Sequence, residues 1–263
     1  MNNIADKKQI SMIQKSFETQ AASFDSKNYH LSKQEYLNYM IEKTAPQKTD
    51  TIIEVASGTC ICGRAFAPFV SHVTCLDTTS AMLEIGKTEC EKMNIRNITF
   101  VKGIAEELPF FLDNSFDIVI SRLAFHHFIN VKEIFAEMKR VLKQGGKLVL
   151  IDMTNKDFAD TANTIEKMRD NSHVRNLSIF EMKDLYTENN MTFEVQEETE
   201  IPVSLENWMN LTNTNKKNRQ KIRQLMIDDI EGKSVTGFFP YYKQNDIYFN
   251  HHWVFNMGKK TTF

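Results

Sequence analysis

The stretch Ile52-Ile-Glu-Val-Ala-Ser-Gly-Thr-Cys-Ile-Cys-Gly63 decides how this chain is read. An apolar, β-branched run enters a small-residue turn, Ala56-Ser57-Gly58, and an acid, Asp77, follows nineteen residues after Gly58. A strand buried on both faces needs the run, and a backbone that approaches a nucleotide closely needs the turn. An acid about 20 residues past such a turn reaches a ribose hydroxyl pair. Ala56 and Cys60 stand where a dinucleotide fingerprint carries glycine, so the turn is weighed with its surroundings.

Outward from this point the pattern alternates. The periodicity predicts strand 51–56, helix 63–70, strand 73–77, helix 80–93, strand 97–102, strand 116–121, helix 131–143 and strand 147–152. The turn Lys143-Gln-Gly-Gly146 reads as a helix stop that opens a strand. Strands alternating with helices mean a parallel sheet covered on both faces. Upstream, residues 6–44 read as two helices around a Ser23–Asn28 break, with Leu31 in the second apolar set and Pro46 as the stop. Downstream, helical segments near 157–170 and 178–190 precede a strand at 192–197. A polar helical region follows at 204–231, and a last strand near 247–257. The expected fold is α/β, a doubly wound seven-stranded sheet, mostly parallel with an antiparallel last strand. Residues 1–45 are expected as an N-terminal helical segment, which the resemblance given below makes a lid, 46–200 as the core, 201–240 as a helical cap over the cleft and 241–263 as the closing strand.

Composition narrows the function. The 263 residues are 41% hydrophobic and 25% charged, values of an ordinary globular protein able to bury a sizeable core. The 32 basic and 34 acidic side chains argue against an electrostatic nucleic-acid footprint. No apolar stretch approaches the ~20 residues of a membrane span. Met1–Lys8 carries an early acid and no apolar signal core. Cys60-Ile-Cys62 is one residue short of a Cys-x-x-Cys site, and the four cysteines read as reduced cytoplasmic thiols; no metal is expected.

Three further segments converge on the same end of the sheet. Asp77-Thr-Thr-Ser-Ala-Met-Leu83 places an acid at a strand end before a cappable helix start. Gly103-Ile-Ala-Glu-Glu-Leu-Pro-Phe110 is a strand exit whose backbone can meet a planar base. Asp113-Asn-Ser-Phe-Asp117 feeds the next buried strand. In open α/β sheets ligands bind beyond the carboxyl ends of the strands, at the switch point. With Arg122-Leu-Ala-Phe-His-His-Phe128 and Val141-Leu-Lys-Gln-Gly-Gly-Lys-Leu148, this ordered set resembles the class I S-adenosylmethionine methyltransferases. It is closest to the branch of ubiquinone and menaquinone biosynthesis and many small-molecule methyltransferases.

The resemblance implies a Rossmann-like core, S-adenosylmethionine as cofactor and a small-molecule methyl acceptor. It implies that Glu54 and the turn Ala56, Ser57, Gly58 hold the methionine part, that Asp77 with Thr78 meets the ribose, and that Met82 packs on the adenine. Gly103, Ile104, Ala105 and Glu106 meet the adenine edge, Arg122 lies beside the sulfonium, and Phe17, Gln20 and Phe24 belong to a lid helix. Cys60 replaces the third glycine of the loop and Ile104 an aspartate that bonds the adenine amine, so weaker cofactor binding is expected.

His126 and His127 are the best-placed bases if the nucleophile arrives protonated, and a packing role stays open for each. Arg175, in Asp170-Asn-Ser-His-Val-Arg175, suits an anionic substrate group or a surface cap. Tyr241 and Tyr242, in the aromatic tail, suit a substrate pocket or the last strand's core. Lys216-Lys-Asn-Arg-Gln-Lys-Ile-Arg223 reads as a solvated helix face. Two rival functions stay open: a protein using S-adenosylmethionine without methylating, and a nicotinamide oxidoreductase. Tyr29-x-x-x-Lys33 and Tyr39-x-x-x-Lys43 mimic the latter's catalytic pair, upstream of where it belongs.

Overall fold

The computed structural model describes residues 4–21, 24 and 33–261. Two helices, α1 (Ile4–Gln20) and α2 (Gln34–Thr44), precede β1 (Thr51–Val55), α3 (Ile61–Phe66), β2 (His72–Asp77), α4 (Ser80–Lys92) and β3 (Ile98–Lys102). Then come β4 (Phe116–Arg122), α5 (Val131–Val141), β5 (Leu142–Thr154), α6 (Ala159–Arg169), α7 (Ile179–Glu188) and β6 (Met191–Ser204). The chain closes with α8 (Leu205–Leu211), α9 (Lys216–Ile230), β7 (Tyr241–Lys243) and β8 (Asp246–Lys260). Most of the Ser23–Asn28 break, and Leu31 and Tyr29, lie outside the described residues.

The sheet order is β3-β2-β1-β4-β5-β8-β6, parallel through β5, with β8 antiparallel to both neighbours. Order reverses between β1 and β4, so the crevice beyond their carboxyl ends is the switch point. Alternation along the strands sorts the core. Ile53, Val55, Val119, Leu148 and Leu150 meet α5 and α7 on one face. Ile52, Ile118, Ile120, Val149 and Ile151 meet α2 and α3 on the other. A strand buried on both faces keeps its charged residues near its ends. There Glu54, Asp77, Arg122 and Asp152 stand.

Two expectations need correction. Among the described residues the sheet has eight strands, not seven, because β7 is a short strand missed in the sequence. The ladder from β6 to β8 runs from Met191↔Lys260 to Ser204↔Tyr248, whereas β5 leaves β8 at Thr154↔His252. β8 thus overshoots the sheet, and β7 pairs with its free end at Tyr241↔Tyr248. The overshooting ribbon carries its own core, in which Ile201, Val203, Ile247 and Phe249 bury Trp208 and Met209 of α8 and Ile222 and Met226 of α9. Second, Lys143–Gly146 does not separate helix from strand. The helix ends at Val141, and the segment lies inside β5 as an irregularity between Phe116↔Leu142 and Ile118↔Lys147. Gly145 absorbs the bend at φ +73°.

Candidate active site

One cavity of about 130 Å³ lies at the switch point, on the order of ten times what a single buried water needs. Its floor is built of strand ends. Glu54 from β1, Asp77 from β2 and Arg122 from β4 line it, with the loops that follow supplying Ala56–Gly58, Thr78, Gly103–Glu106 and His126–Phe128. Its cover is α1, which presents Ile10, Ile13, Phe17 and Gln20 at helical spacing. Polar side chains of α1 fasten it down. Gln14 Nε2 donates to Thr78 Oγ1 (2.8 Å), and Gln9 Nε2 donates to the carbonyls of His127 (2.8 Å) and Ser172 (2.6 Å). Ser16 Oγ donates to Asp170 Oδ1 (3.0 Å), and the Phe17 ring packs edge-on against His127.

The turn after β1 takes the left-handed conformation repeatedly. Ala56, Gly58 and Cys60 have φ of +56°, +53° and +60°. Cys60, where the family pattern has glycine, therefore adopts a backbone that costs an L-residue about 1–2 kcal/mol. Asp77 ties this turn to its own strand end, accepting the amides of Gly58 (2.7 Å, Oδ2) and Thr79 (2.8 Å, Oδ1). Burial raises its pKa against those bonds. Glu54 accepts the Gly63 amide at 2.7 Å. Gly63 is required there, since a Cβ would sit 2.6 Å from Cys75 Sγ and 3.1 Å from Glu54 Oε2. Burial pushes the Glu54 carboxyl up to about 7, against the Gly63 amide, Cys62 and the charges of Arg122 and Arg64.

These residues fit S-adenosylmethionine. Each Asp77 oxygen accepts one amide and an ionised carboxylate has about four acceptor sites, so two remain for a ribose diol. Glu54 is a carboxylate whose proton is loosened by an arriving ammonium or sulfonium cation. The turn exposes backbone rather than side chain. Ile104 lines the cavity and offers an adenine amine no polar contact.

The acceptor side has a different character. His126 accepts burial's downward push on its pKa, but the Asp152 charge and hydrogen bond outweigh it and the pKa rises. Its Nδ1 lies 2.6 Å from Asp152 Oδ1, and its amide donates to Oδ2 at 3.0 Å. Among the described residues Nε2 has no hydrogen-bond partner, so the dyad leaves that nitrogen for a ligand. His127 differs: burial and the neighbouring His126 depress it to about 3, and its Nδ1 meets Ser172 Oγ at 3.1 Å. Arg169, Asp170, Trp208 and His251 complete this wall.

Most residues singled out in the sequence meet here: Phe17, Gln20, Phe24, Glu54, the turn, Asp77, Thr78, Gly103–Glu106, Arg122, His126 and His127 all line the cavity. Met82 does not. Its position in the first turn of α4 buries it completely, off the cavity wall. Arg175 is on the surface, bonded to Glu181 at 2.8 and 3.1 Å. Tyr241 lines a second cavity, which shares Met153 and His251 with the first, and Tyr242 is exposed. Tyr39 and Lys43 both bond Glu197 on the outside of α2, away from the cavity. Arg219 and Arg223 of the basic cluster are held by Glu206. The sequence reading missed Asp152, although Leu148-Val-Leu-Ile-Asp152 repeats the pattern that marks Asp77, an apolar run ending in an acid. Arg169, Trp208 and His251 carry no such signal.

A family model described as a methyltransferase domain matches residues 53–150. The uncharacterized methyltransferase YcgJ of Bacillus subtilis is 30% identical over 178 residues, covering 66% of this chain and 70% of that protein. Its crystal structure superposes with a TM-score of 0.78 at 26% identity, over 88% of this chain and 100% of that one. A demethylmenaquinone methyltransferase of Listeria monocytogenes is 32% identical over 146 residues, 53% of this chain and 61% of that enzyme. The chain belongs to the class I S-adenosylmethionine-dependent methyltransferases.

Proposed function

We propose that this methyltransferase acts on a small molecule enclosed in the switch-point cavity, and that His126, held by Asp152, takes the proton of the attacking group. The carrying observation is that His126, bonded at 2.6 Å to the buried Asp152 behind it, lines the same cavity as Glu54, Asp77 and the turn after β1. Bound S-adenosylmethionine supplies an electrophilic methyl group on a sulfonium whose charge disappears in the reaction. Glu54 would face its ammonium, Asp77 its ribose, and Ala105 and Glu106 its adenine edge.

The protein's own contribution is alignment and exclusion of water. Residues 1–45 serve as the lid: Ile10, Ile13 and Phe17 close the cavity while the α1 glutamines grip the loops that carry His127 and Thr78. Residues 201–240, standing on the overshooting ribbon, serve as the acceptor-side cap through Trp208 and Leu211. Asp152 fixes the imidazole through Nδ1, so Nε2 is the proton acceptor at the acceptor side. His127, with a conjugate acid near 3, is too weak a base for the task and orients the wall instead. A net charge of −2 with the arginines of the basic cluster already paired supports a small acceptor over a nucleic acid. Four buried free thiols suit a reducing, cytoplasmic setting.

The test is transfer of label from methyl-labelled S-adenosylmethionine into the fractions of a cell extract. Label is expected in the low-molecular-weight fraction, and the His126→Gln variant should transfer about 10²–10⁴-fold more slowly while binding S-adenosylhomocysteine normally. Label confined to protein or nucleic acid would contradict the small-molecule reading. Full activity in His126→Gln would remove the base.

A further inference from the structure

The acceptor side of the cavity holds a cation that the proton transfer does not use. Arg169 closes α6, is 8% exposed and lines the cavity. Its Nε donates to Glu166 Oε2 at 3.0 Å, and its guanidinium lies 4.7 Å above the centre of a Trp208 ring. Glu166 is buried too, and its pKa is lowered by Arg169 and His251 despite the burial that raises it, so the pair is ionised. Among the described residues, neither Nη1 nor Nη2 of Arg169 has a hydrogen-bond partner. Buried without partners as well is Trp208 Nε1.

A purely structural ion pair would use the guanidinium fork face to face, two nitrogens on one carboxylate. Here the carboxylate takes the side nitrogen and the indole takes the flat face. That arrangement fixes the plane of the group and leaves its terminal donors unused at a cavity wall. The nearest rival for them, Asp170, already accepts from Ser16 (3.0 Å) and Ser172 (2.6 Å) through Oδ1 and from Gln20 (3.4 Å) through Oδ2. The guanidinium fork matches planar or tetrahedral oxyanions.

We infer that Arg169 anchors an oxyanion of the methyl acceptor, a carboxylate or a phosphate ester, through Nη1 and Nη2, with Trp208 as the platform that holds the fork in place. The inference deepens the proposed function and rests on it for the identity of the opposite end of the cavity as the methyl-donor site.

The experiment is calorimetric titration of the protein, saturated with S-adenosylhomocysteine, with benzoate, phenyl phosphate and benzamide. At least one anion should bind about tenfold or more tightly than the neutral amide, and the better of the two names the oxyanion. Arg169→Lys keeps the charge without the fork and should lose most of that preference. The double variant Glu166→Gln/Arg169→Met leaves no buried charge unpaired. It should bind all three probes alike while its affinity for S-adenosylhomocysteine stays within about twofold of the wild type. Three results would overturn the inference: no anion binding, an anion preference that survives in the double variant, or a tenfold loss of S-adenosylhomocysteine affinity in Arg169→Lys. Failure of the wild type to bind S-adenosylhomocysteine would sink the methyl-donor reading instead. The probe series on the free protein would then still decide the anion site.

Discussion

Replacing Glu54 by glutamine should remove a pH dependence from folding stability. The carboxyl titrates near 7 in the fold against an ordinary value of 4.5, and burial is the main cause. A raised folded pKa gives stability that is fully present below pH 4.5 and is lost as pH rises through about 7, because only the folded chain keeps the proton in that window. Integrating between pH 5.5 and 8.5 with those two values gives a loss of about 2 kcal/mol. For a chain of this size that is a fall of ~4–8 °C in Tm. Glutamine keeps an oxygen to accept the Gly63 amide and has no proton to lose. The assay is urea unfolding of wild type and Glu54→Gln, free of ligand, at both pH values. Contributions of groups distant from Glu54 cancel in the difference. The wild type should lose about 2 kcal/mol more than the variant over that interval. Equal losses would refute the claim that Glu54 is held near neutrality at the cavity floor.

Three further outcomes follow from the site. Ile104→Asp restores a polar partner for the adenine amine and should tighten S-adenosylhomocysteine binding by about 0.5–1.5 kcal/mol, read as a lower Kd; an unchanged or raised Kd would refute it. Gly63→Ala drives a Cβ to within 2.6 Å of Cys75 Sγ and should cost about 1–3 kcal/mol in unfolding, with part recovered in Gly63→Ala/Cys75→Ala. Additive losses in that pair would show that the contact is not the cause. In the pH profile of kcat/KM the acid limb should lie above 6.5, where Asp152 has raised His126, and activity should grow as pH climbs through it. Asp152→Asn removes the main opposition to burial and leaves only the weaker pull of the Glu166 charge, so its limb should move to lower pH. A limb that stays in place would assign the titration to another group.

The parallel half of the sheet was legible because β1, β2, β4 and β5 run through the core, which forces apolar runs and keeps charged residues near the strand ends. That is why Asp77 could be placed at the cleft from its spacing, whereas Glu54 and Arg122 came with the family resemblance. The β6–β8 ribbon was not legible to its full length. Its outer positions carry Glu194, Glu197, Glu198 and Glu200, solvated side chains that erase the apolar signature, so 192–197 was read where Met191–Ser204 forms. β7 has all three residues exposed and owes its existence to the overshoot of its partner, a long-range fact. Met82 illustrates the same limit on a helix. Met82 sits in the first turn of α4, and rotation about that axis buries it off the cavity wall.

On the acceptor side the residues come from distant segments: His126 from the β4 exit, Arg169 from the end of α6, Trp208 from α8 and His251 from β8. Nothing local distinguishes Arg169 from an ordinary cation in the last turn of a helix, where the dipole favours one. Arg175, six residues on, drew attention by its neighbours and proved to bond Glu181 at the surface. Only the tertiary packing shows which of the two arginines faces the cavity.

The most direct test of the account is calorimetric titration of the ligand-free protein with S-adenosylmethionine, S-adenosylhomocysteine and NAD in parallel. Micromolar binding of both adenosyl ligands, with none for NAD, is the expected result. It would place the cofactor on the strand ends that carry Glu54 and Asp77. NAD binding with both adenosyl ligands silent would contradict the assignment of that floor to a methyl donor.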